Sequence, residues 1–376
     1  MRKTLQLTIL AVVVACGAVG APASAQEPVP GETPVTTAAP VPVEVPATTA
    51  VPVVPEGPAT TTAPPTTAPA TTMPATPPAE SATADPEVVV PTPVPTDSRP
   101  VTGNFNGSGR DIIFWYSPGT VDRRWQGKAD RGFAEMEPSV AGGDYKPFTG
   151  DFNGDRRSDI FFYGPGAAGD FIWYGRTDNA YDQMAVAVPG SYVAALPGDY
   201  NGDGRTDIVW YKPGQTAMWR SNADRTFTVA PLGVTNTYAP FVGDLNGDRR
   251  ADIFWYKGGS TDDWIWYGET NYDFRRMRLE VDGHYDHPLP GDYDGNGRTD
   301  ILWYKKGGAQ DYVWWSTSAG FTSKKITVSG TYKPFVGDFD GDRRSDIFWW
   351  GPGAEQDRTW FGQTNRTFKL GPIFHA

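Results

Sequence analysis

Short apolar runs recur along the last three quarters of the chain. Two examples are Ile208-Val209-Trp210-Tyr211 and Ile301-Leu302-Trp303-Tyr304. Each is apolar at every position, not at every second one, so it reads as a strand covered on both faces. The polar and apolar segments around the runs are equally regular. In the last copy KPFVGDF precedes an acidic loop, DIFWW follows it, and RTWFGQ and RTFKLG come next. Glycine, proline and polar residues separate the four segments, and no stretch carries a helical period. The pattern predicts units of four short strands.

The loop and second strand recur six times: GNFNGSGRDIIFWYSPG from Gly103, GDFNGDRRSDIFFYGPG from Gly150, GDYNGDGRTDIVWYKPG from Gly198, GDLNGDRRADIFWYKGG from Gly243, GDYDGNGRTDILWYKKG from Gly291 and GDFDGDRRSDIFWWGPG from Gly337. The second residue of each copy falls at 104, 151, 199, 244, 292 and 338, a period of 45 to 48 residues. Such a period marks a propeller or an array. Copies 2, 4 and 6 share GDRR(S/A)DIF and copies 3 and 5 share GRTDI, so a two-blade unit was duplicated and an even blade number follows. The expected fold is all-β, a six-bladed β-propeller of four-stranded blades over 99–376. The competing arrangement is an open array of six units, which would leave its ends exposed.

Composition changes sharply ahead of the repeats. Residues 26–98 are nearly all Pro, Thr, Ala, Val and Glu, and hold no Trp, Tyr, Phe, Lys or Arg. That composition buries too little apolar surface to order itself, so a disordered Pro/Thr-rich stalk is expected, with a reach on the order of 200 Å if extended. Residues 1–25 read as a secretory signal peptide: Arg2 and Lys3, an apolar run from Leu5 to Val14, and a small-residue ASA before Gln26. VVAC ending at Cys16 also resembles a lipobox, so cleavage after Ala25 and lipidation at Cys16 are both open. The chain is expected to be secreted or cell-envelope associated, with no transmembrane span in the mature form and as a monomer. Cys16 is the single cysteine, so no disulfide staples an exported fold. The net charge of −11 owes much to eight acids in the stalk; the repeats hold 36 acids and 31 bases. No basic stripe points to nucleic acid.

The acidic loop carries the chemistry. In DYNGDGRTD, oxygen-bearing side chains sit at positions 1, 3, 5 and 9 (Asp199, Asn201, Asp203, Asp207), and Arg205 at position 7 offers its backbone carbonyl. A hard cation takes six to eight oxygens, and glycines at 4 and 6 allow a tight wrap. The start resembles an EF-hand loop, but Trp210 stands at position 12 and Asp207 must supply the last carboxylate. The motif, its period and the DIxWY that follows resemble FG-GAP or VCBS repeats of integrin-α-like propellers. The resemblance covers 99–376 and implies calcium in the loops and a role in extracellular binding or adhesion. Transferred to this sequence, it gives up to five Ca²⁺ sites. The second loop offers Asp151, Asn153, Asp155, Arg157 and Asp159, and the third the residues above. The fourth offers Asp244, Asn246, Asp248, Arg250 and Asp252, the fifth Asp292, Asp294, Asn296, Arg298 and Asp300, and the sixth Asp338, Asp340, Asp342, Arg344 and Asp346. The first loop has Asn104, Asn106 and Ser108, with Ile112 at the ninth position, and is expected to bind poorly. Arg156, Arg249 and Arg343 replace glycine at position 6, where a left-handed backbone would cost about 1–2 kcal/mol.

Candidate catalytic groups are scarce. His284 and His287 read as exposed loop residues, and Asp262 with Asp263 as a solvated loop more than as a glycosidase carboxylate pair. The expected function is a binding or adhesion module for an envelope or extracellular glycan or protein. A propeller enzyme acting on polysaccharide and a purely structural wall protein are the alternatives, and the protein is expected not to be an enzyme.

Overall fold

The computed structural model describes residues 94–374, apart from 167–168, 308–309 and 353–355. The signal-peptide segment, Cys16 and residues 26–93 of the stalk lie outside the described residues.

Among the described residues twenty-four strands form six four-stranded antiparallel sheets, each built from consecutive strands in chain order. Blade 1 is β1 (Arg99–Gly103), β2 (Ile112–Tyr116), β3 (Asp122–Gly127) and β4 (Phe133–Ser139). Blade 2 is β5 (Lys146–Gly150), β6 (Asp159–Tyr163), β7 (Asp170–Gly175) and β8 (Tyr181–Val186). Blade 3 is β9 (Ala194–Gly198), β10 (Asp207–Tyr211), β11 (Ala217–Ser221) and β12 (Phe227–Pro231). Blade 4 is β13 (Ala239–Gly243), β14 (Asp252–Tyr256), β15 (Asp263–Gly268) and β16 (Phe274–Leu279). Blade 5 is β17 (His287–Gly291), β18 (Asp300–Tyr304), β19 (Asp311–Thr317) and β20 (Gly320–Ile326). Blade 6 is β21 (Lys333–Gly337), β22 (Asp346–Trp350), β23 (Asp357–Gln363) and β24 (Thr367–Phe374).

Each blade's first strand touches the first strands of its two neighbours, and β21 meets β1. The ring is therefore closed, and the open array is excluded. Closure uses no strand exchanged between the first and last repeats.

The second strands are buried along their whole length in all six blades. Their side chains alternate into the two flanking seams, which explains why the runs are apolar at every position. Six aromatic cores result, one per seam. In the seam between blades 6 and 1, Trp115 meets Trp350 at 5.1 Å and Trp125 at 5.0 Å, edge to face, the preferred geometry for aromatic pairs. Val94 is buried in the same cluster, within the stretch the sequence places in the stalk.

The tyrosine closing each second strand pins the link to the next blade. The Tyr256 hydroxyl accepts the Tyr285 N–H at 3.0 Å, and Tyr116, Tyr163, Tyr211 and Tyr304 act likewise on Tyr145, Tyr192, Tyr238 and Tyr332. In blade 6 the position is Trp350, packed into the closing seam against blade 1.

Candidate metal centre: the ring of acidic loops

The acidic loops join first and second strands, so all six lie at one end of the blades. Their fold follows from short side chains accepting nearby amides. In the third loop Asp199 accepts N–H groups from Gly202 at 2.8 Å and Asp203 at 3.1 Å on Oδ1, and from Gly204 at 2.8 Å on Oδ2. Asn201 accepts the Asp203 N–H, and Asp203 accepts the Arg205 N–H. The same ladder forms on Asp151, Asp244, Asp292 and Asp338. Position 6 is left-handed throughout, with φ of 86° at Gly204 and 67°, 67° and 68° at Arg156, Arg249 and Arg343. All three arginines are exposed. Arg156→Gly should therefore raise the melting temperature by a few degrees. The relief of about 1–2 kcal/mol of left-handed strain exceeds the roughly 0.5–1 kcal/mol that glycine's flexibility costs.

The ninth-position aspartates Asp159, Asp207, Asp252, Asp300 and Asp346 are fully buried. Each ties three pieces of its blade together. Asp252 accepts the Leu245 N–H at 2.8 Å on Oδ2 and the Gly268 N–H at 3.0 Å on Oδ1, joining loop, second strand and the end of the third strand. Equivalent bonds hold Asp159, Asp207, Asp300 and Asp346. Burial outweighs these donors and pushes the carboxyls up, to about 8 for Asp159 and Asp346 and about 7 for Asp207, Asp252 and Asp300. Neighbouring carboxylates of the same loop add to the rise.

A bound divalent cation is the direct remedy for such charge. The fit is best in the last two loops. Oxygens of Asp292, Asp294 and Asp300 all lie within 4.8 Å of one another, and so do those of Asp338, Asp340 and Asp346. Ligands at 2.3–2.6 Å from one calcium span up to about 5 Å. These two loops alone carry aspartate at position 3. In loops 2, 3 and 4 the residue there is Asn153, Asn201 or Asn246.

Arginine competes for part of this charge, which the sequence pattern did not foretell. At position 7 the side chain folds back on the position-5 carboxylate: Arg157 to Asp155 at 2.5 Å, Arg205 to Asp203 at 2.6 Å, Arg250 to Asp248 at 2.5 Å, and Arg344 to Asp342. Its Nε donates to the carbonyl ending the third strand, as from Arg157 to Gly175 at 2.8 Å. In loop 5 the position-5 residue is Asn296, which donates to the Ser316 carbonyl, while Asp294 at position 3 pairs with Arg366 at 2.9 Å. Asp340 pairs with Arg131, also at 2.9 Å.

The loops also close the ring. The N–H at position 8 donates to the position-1 carbonyl of the preceding blade: Ser158 to Asn104, Thr206 to Asp151, Ala251 to Asp199, Thr299 to Asp244 and Ser345 to Asp292. Asp111 completes the circuit by donating to Asp338 at 2.8 Å, and its Oδ2 accepts the Asp338 N–H at 2.9 Å. The glycine before position 1 permits this approach. A Cβ on Gly198 would lie 2.5 Å from the Ala251 Cβ. Register confirms the degenerate first loop, since Gly103 pairs with Ile112 where Gly150 pairs with Asp159. Asp111, raised to about 7 by burial, is the functional residue of that loop that the metal pattern missed.

A second ring of aspartates sits at the opposite end. Asp122, Asp170, Asp263, Asp311 and Asp357 open the third strands of five blades and are buried. Asp263 accepts the Lys257 N–H at 2.6 Å and the Val281 N–H at 3.0 Å. The solvated-loop reading is thus corrected for Asp263, which braces its blade, and holds for Asp262, which bonds the Trp264 indole and Lys257 near the surface. His284 is exposed, whereas His287 opens β17 and lies half-buried against the Tyr304 ring, so the exposed-loop reading fails for it.

The titrations set a pH dependence. A ninth-position carboxyl binds its proton more tightly folded than unfolded, where its value is about 4. It stabilises the metal-free fold fully below that value, and the contribution is lost as pH rises through 7 to 8. With chelator present, the melting temperature should fall from pH 5 to pH 8.5. Excess calcium should flatten or reverse that slope, because the ion replaces the proton.

Comparison with known proteins places the repeat. The model of the FG-GAP-like repeat matches residues 199–255 and 292–349, covering the acidic loops and second strands of blades 3 and 5 and running into blades 4 and 6. No curated protein matches the chain. Among solved structures, a protein from Lactobacillus plantarum aligns over 73% of this chain and 83% of its own, with 11% identity and a TM-score of 0.48. A variant of the Aleuria aurantia lectin in complex with alpha-methyl-L-fucoside aligns over 76% of this chain and 97% of its own, with 10% identity and a TM-score of 0.48.

Proposed function

We propose that this chain, which carries FG-GAP-like repeats, is an exported, calcium-bearing β-propeller that serves as a binding or adhesion module for a glycan or protein of the cell envelope or extracellular space. The observation that carries the reading is the acidic-loop ring. Buried aspartates recur at one register in five blades, their carboxyls pushed to about 7–8. Two of them stand within ligand reach of further carboxylates. A fold without a disulfide gains from ions at these junctions what a cross-link would supply elsewhere.

A binding role fits how the polar groups are used. The two rings of buried aspartates accept backbone N–H groups at both ends of the blades and act as frame. The Asp262–Asp263 pair is divided between that frame and a surface ion pair, which argues against a glycosidase couple. The leader-like residues 1–25 support export.

The test is capture from envelope and culture-medium fractions on immobilised full-length protein, with calcium and then with chelator. The reading expects a saturable glycan or protein ligand released by chelator, and no turnover of polysaccharides. Reproducible hydrolysis lost in Asp262→Asn would replace it with the enzyme reading.

A further inference from the structure

The six seams are not equivalent. In five blades the turn between third and fourth strands carries a left-handed, non-glycine residue six positions after a tryptophan: Arg131, Asn179, Arg225, Tyr272 and Arg366. Each side chain crosses to the preceding blade. Arg131 reaches Asp340 and the Phe361 ring, and Arg366 reaches Asp294. Asn179 accepts from Asn106 at 2.8 Å, Arg225 lies 4.3 Å over the Tyr174 ring, and Tyr272 packs 4.4 Å from Arg220. Blade 5 breaks the series. Seven positions, not eight, separate Trp314 from Phe321, and Gly320 stands where the crossing side chain belongs.

The seam between blades 4 and 5 opens where that strut is missing. A cavity of about 1180 Å³ runs from Asn246 and Arg298 at the acidic-loop end to Asp282 and Gln310 at the other. Its walls are Tyr267, Tyr285, Tyr312, Trp314 and Phe321, the partly buried rim of that seam's core. The Tyr267 hydroxyl donates to the Met277 sulfur at 4.0 Å. Trp314 is half-buried, as is its counterpart Trp360 in blade 6, whereas Trp125, Trp173, Trp219 and Trp266 at the same position are buried. Charges around the aromatics are nearly balanced, with Arg275, Arg298 and Lys305 against Glu280 and Asp282.

We propose that this groove is the ligand site of the propeller and that it takes a neutral oligosaccharide. The proposal rests on the binding-module reading and deepens it. A pyranose ring presents an apolar C–H face and a rim of hydroxyls. The groove offers matching parts: partly exposed aromatic faces, and donors and acceptors of both signs beside them. Near-balanced charge disfavours a strongly anionic or cationic ligand. The shortened turn leaves no crossing side chain over these faces, and the cavity opens beside them.

The experiment probes the full-length protein, in calcium, on a printed array of neutral hexose oligosaccharides, with an array of unstructured decapeptides beside it. Trp314→Ala should weaken saccharide binding at least tenfold. So should replacing Ser318–Gly320 by blade 6's four turn residues, Thr364–Thr367, which restores a crossing arginine and fills the groove. That graft adds a strut, so an unchanged melting temperature shows that binding was lost without unfolding. Trp360→Ala, the half-buried equivalent in the strutted seam between blades 5 and 6, should change binding less than twofold. Saccharide binding that survives both groove changes overturns the groove while leaving a binding module in place. Capture of decapeptides and no saccharide overturns the ligand class. Loss of binding in Trp360→Ala equal to that in Trp314→Ala also overturns the site.

Discussion

Chelating divalent cations should lower the melting temperature by about 10–20 °C, and calcium should restore it. Each ion that binds only the native state adds about 2.7 kcal/mol when free calcium is 100-fold above its dissociation constant. The two best-formed loops alone give about 5 kcal/mol. For domains of 150–250 residues a change of 1 kcal/mol moves the midpoint by about 2–4 °C. Magnesium should restore less, because it dehydrates reluctantly and demands a tighter octahedron than these flexible Asp and Asn loops present. Differential scanning calorimetry with calcium, magnesium and chelator gives the answer. Asn104→Ala in the first loop should leave the calcium response unchanged.

Asp263→Ala should cost as much as losing an ion, but for a different reason. The carboxylate is fully buried and holds the Lys257 and Val281 N–H groups. Removing it leaves one buried and one partly buried donor without an acceptor, at about 1–3 kcal/mol each, and opens a cavity. The expected fall is roughly 10 °C, the same with calcium or chelator, because the residue lies at the end of the blades away from the acidic loops. Asp262→Ala should shift the midpoint by a degree or two at most, since its ion pair with Lys257 is partly exposed. Near-equal effects of the two substitutions would mean that Asp263 is not a brace.

The propeller was legible in the sequence because its constraints repeat. Apolar residues at every position of DIVWY and DILWY state that both faces are covered, and only a sheet packed between sheets does that. Blade number followed from the period. The acidic loops were legible as a pattern, but arginine at position 6 marked loops 2, 4 and 6 as the weaker ones, and loop 6 is one of the two best formed. Loops 5 and 6 stand out in three dimensions because Asp294 and Asp340 bring a third carboxylate within reach. Position-7 arginine was read as a backbone carbonyl, while its side chain reaches the carboxylate two residues earlier, a local contact that oxygen spacing does not encode.

Other features needed coordinates because they join distant residues. Asp111, which no metal pattern picked out, bonds Asp338 and closes the ring. The aspartates that open the third strands carry no motif beyond a D-x-x-W spacing, easily read as loop polarity. The missing strut at Gly320 was present in the sequence as a single-residue deletion. Its meaning emerged only when Arg131, Asn179, Arg225, Tyr272 and Arg366 were seen to cross their seams.

The acidic ring as a calcium site is the central claim, and counting bound ions tests it most directly. Equilibrium dialysis of the chelator-stripped protein against radioactive calcium should give at least two tight sites per chain, rising toward five as calcium increases. Asp300→Asn should remove one of the two tight sites while the chain remains folded. A protein that retains no calcium above background at millimolar concentration would contradict the account, and its loops would then be turns held by arginine and backbone amides alone.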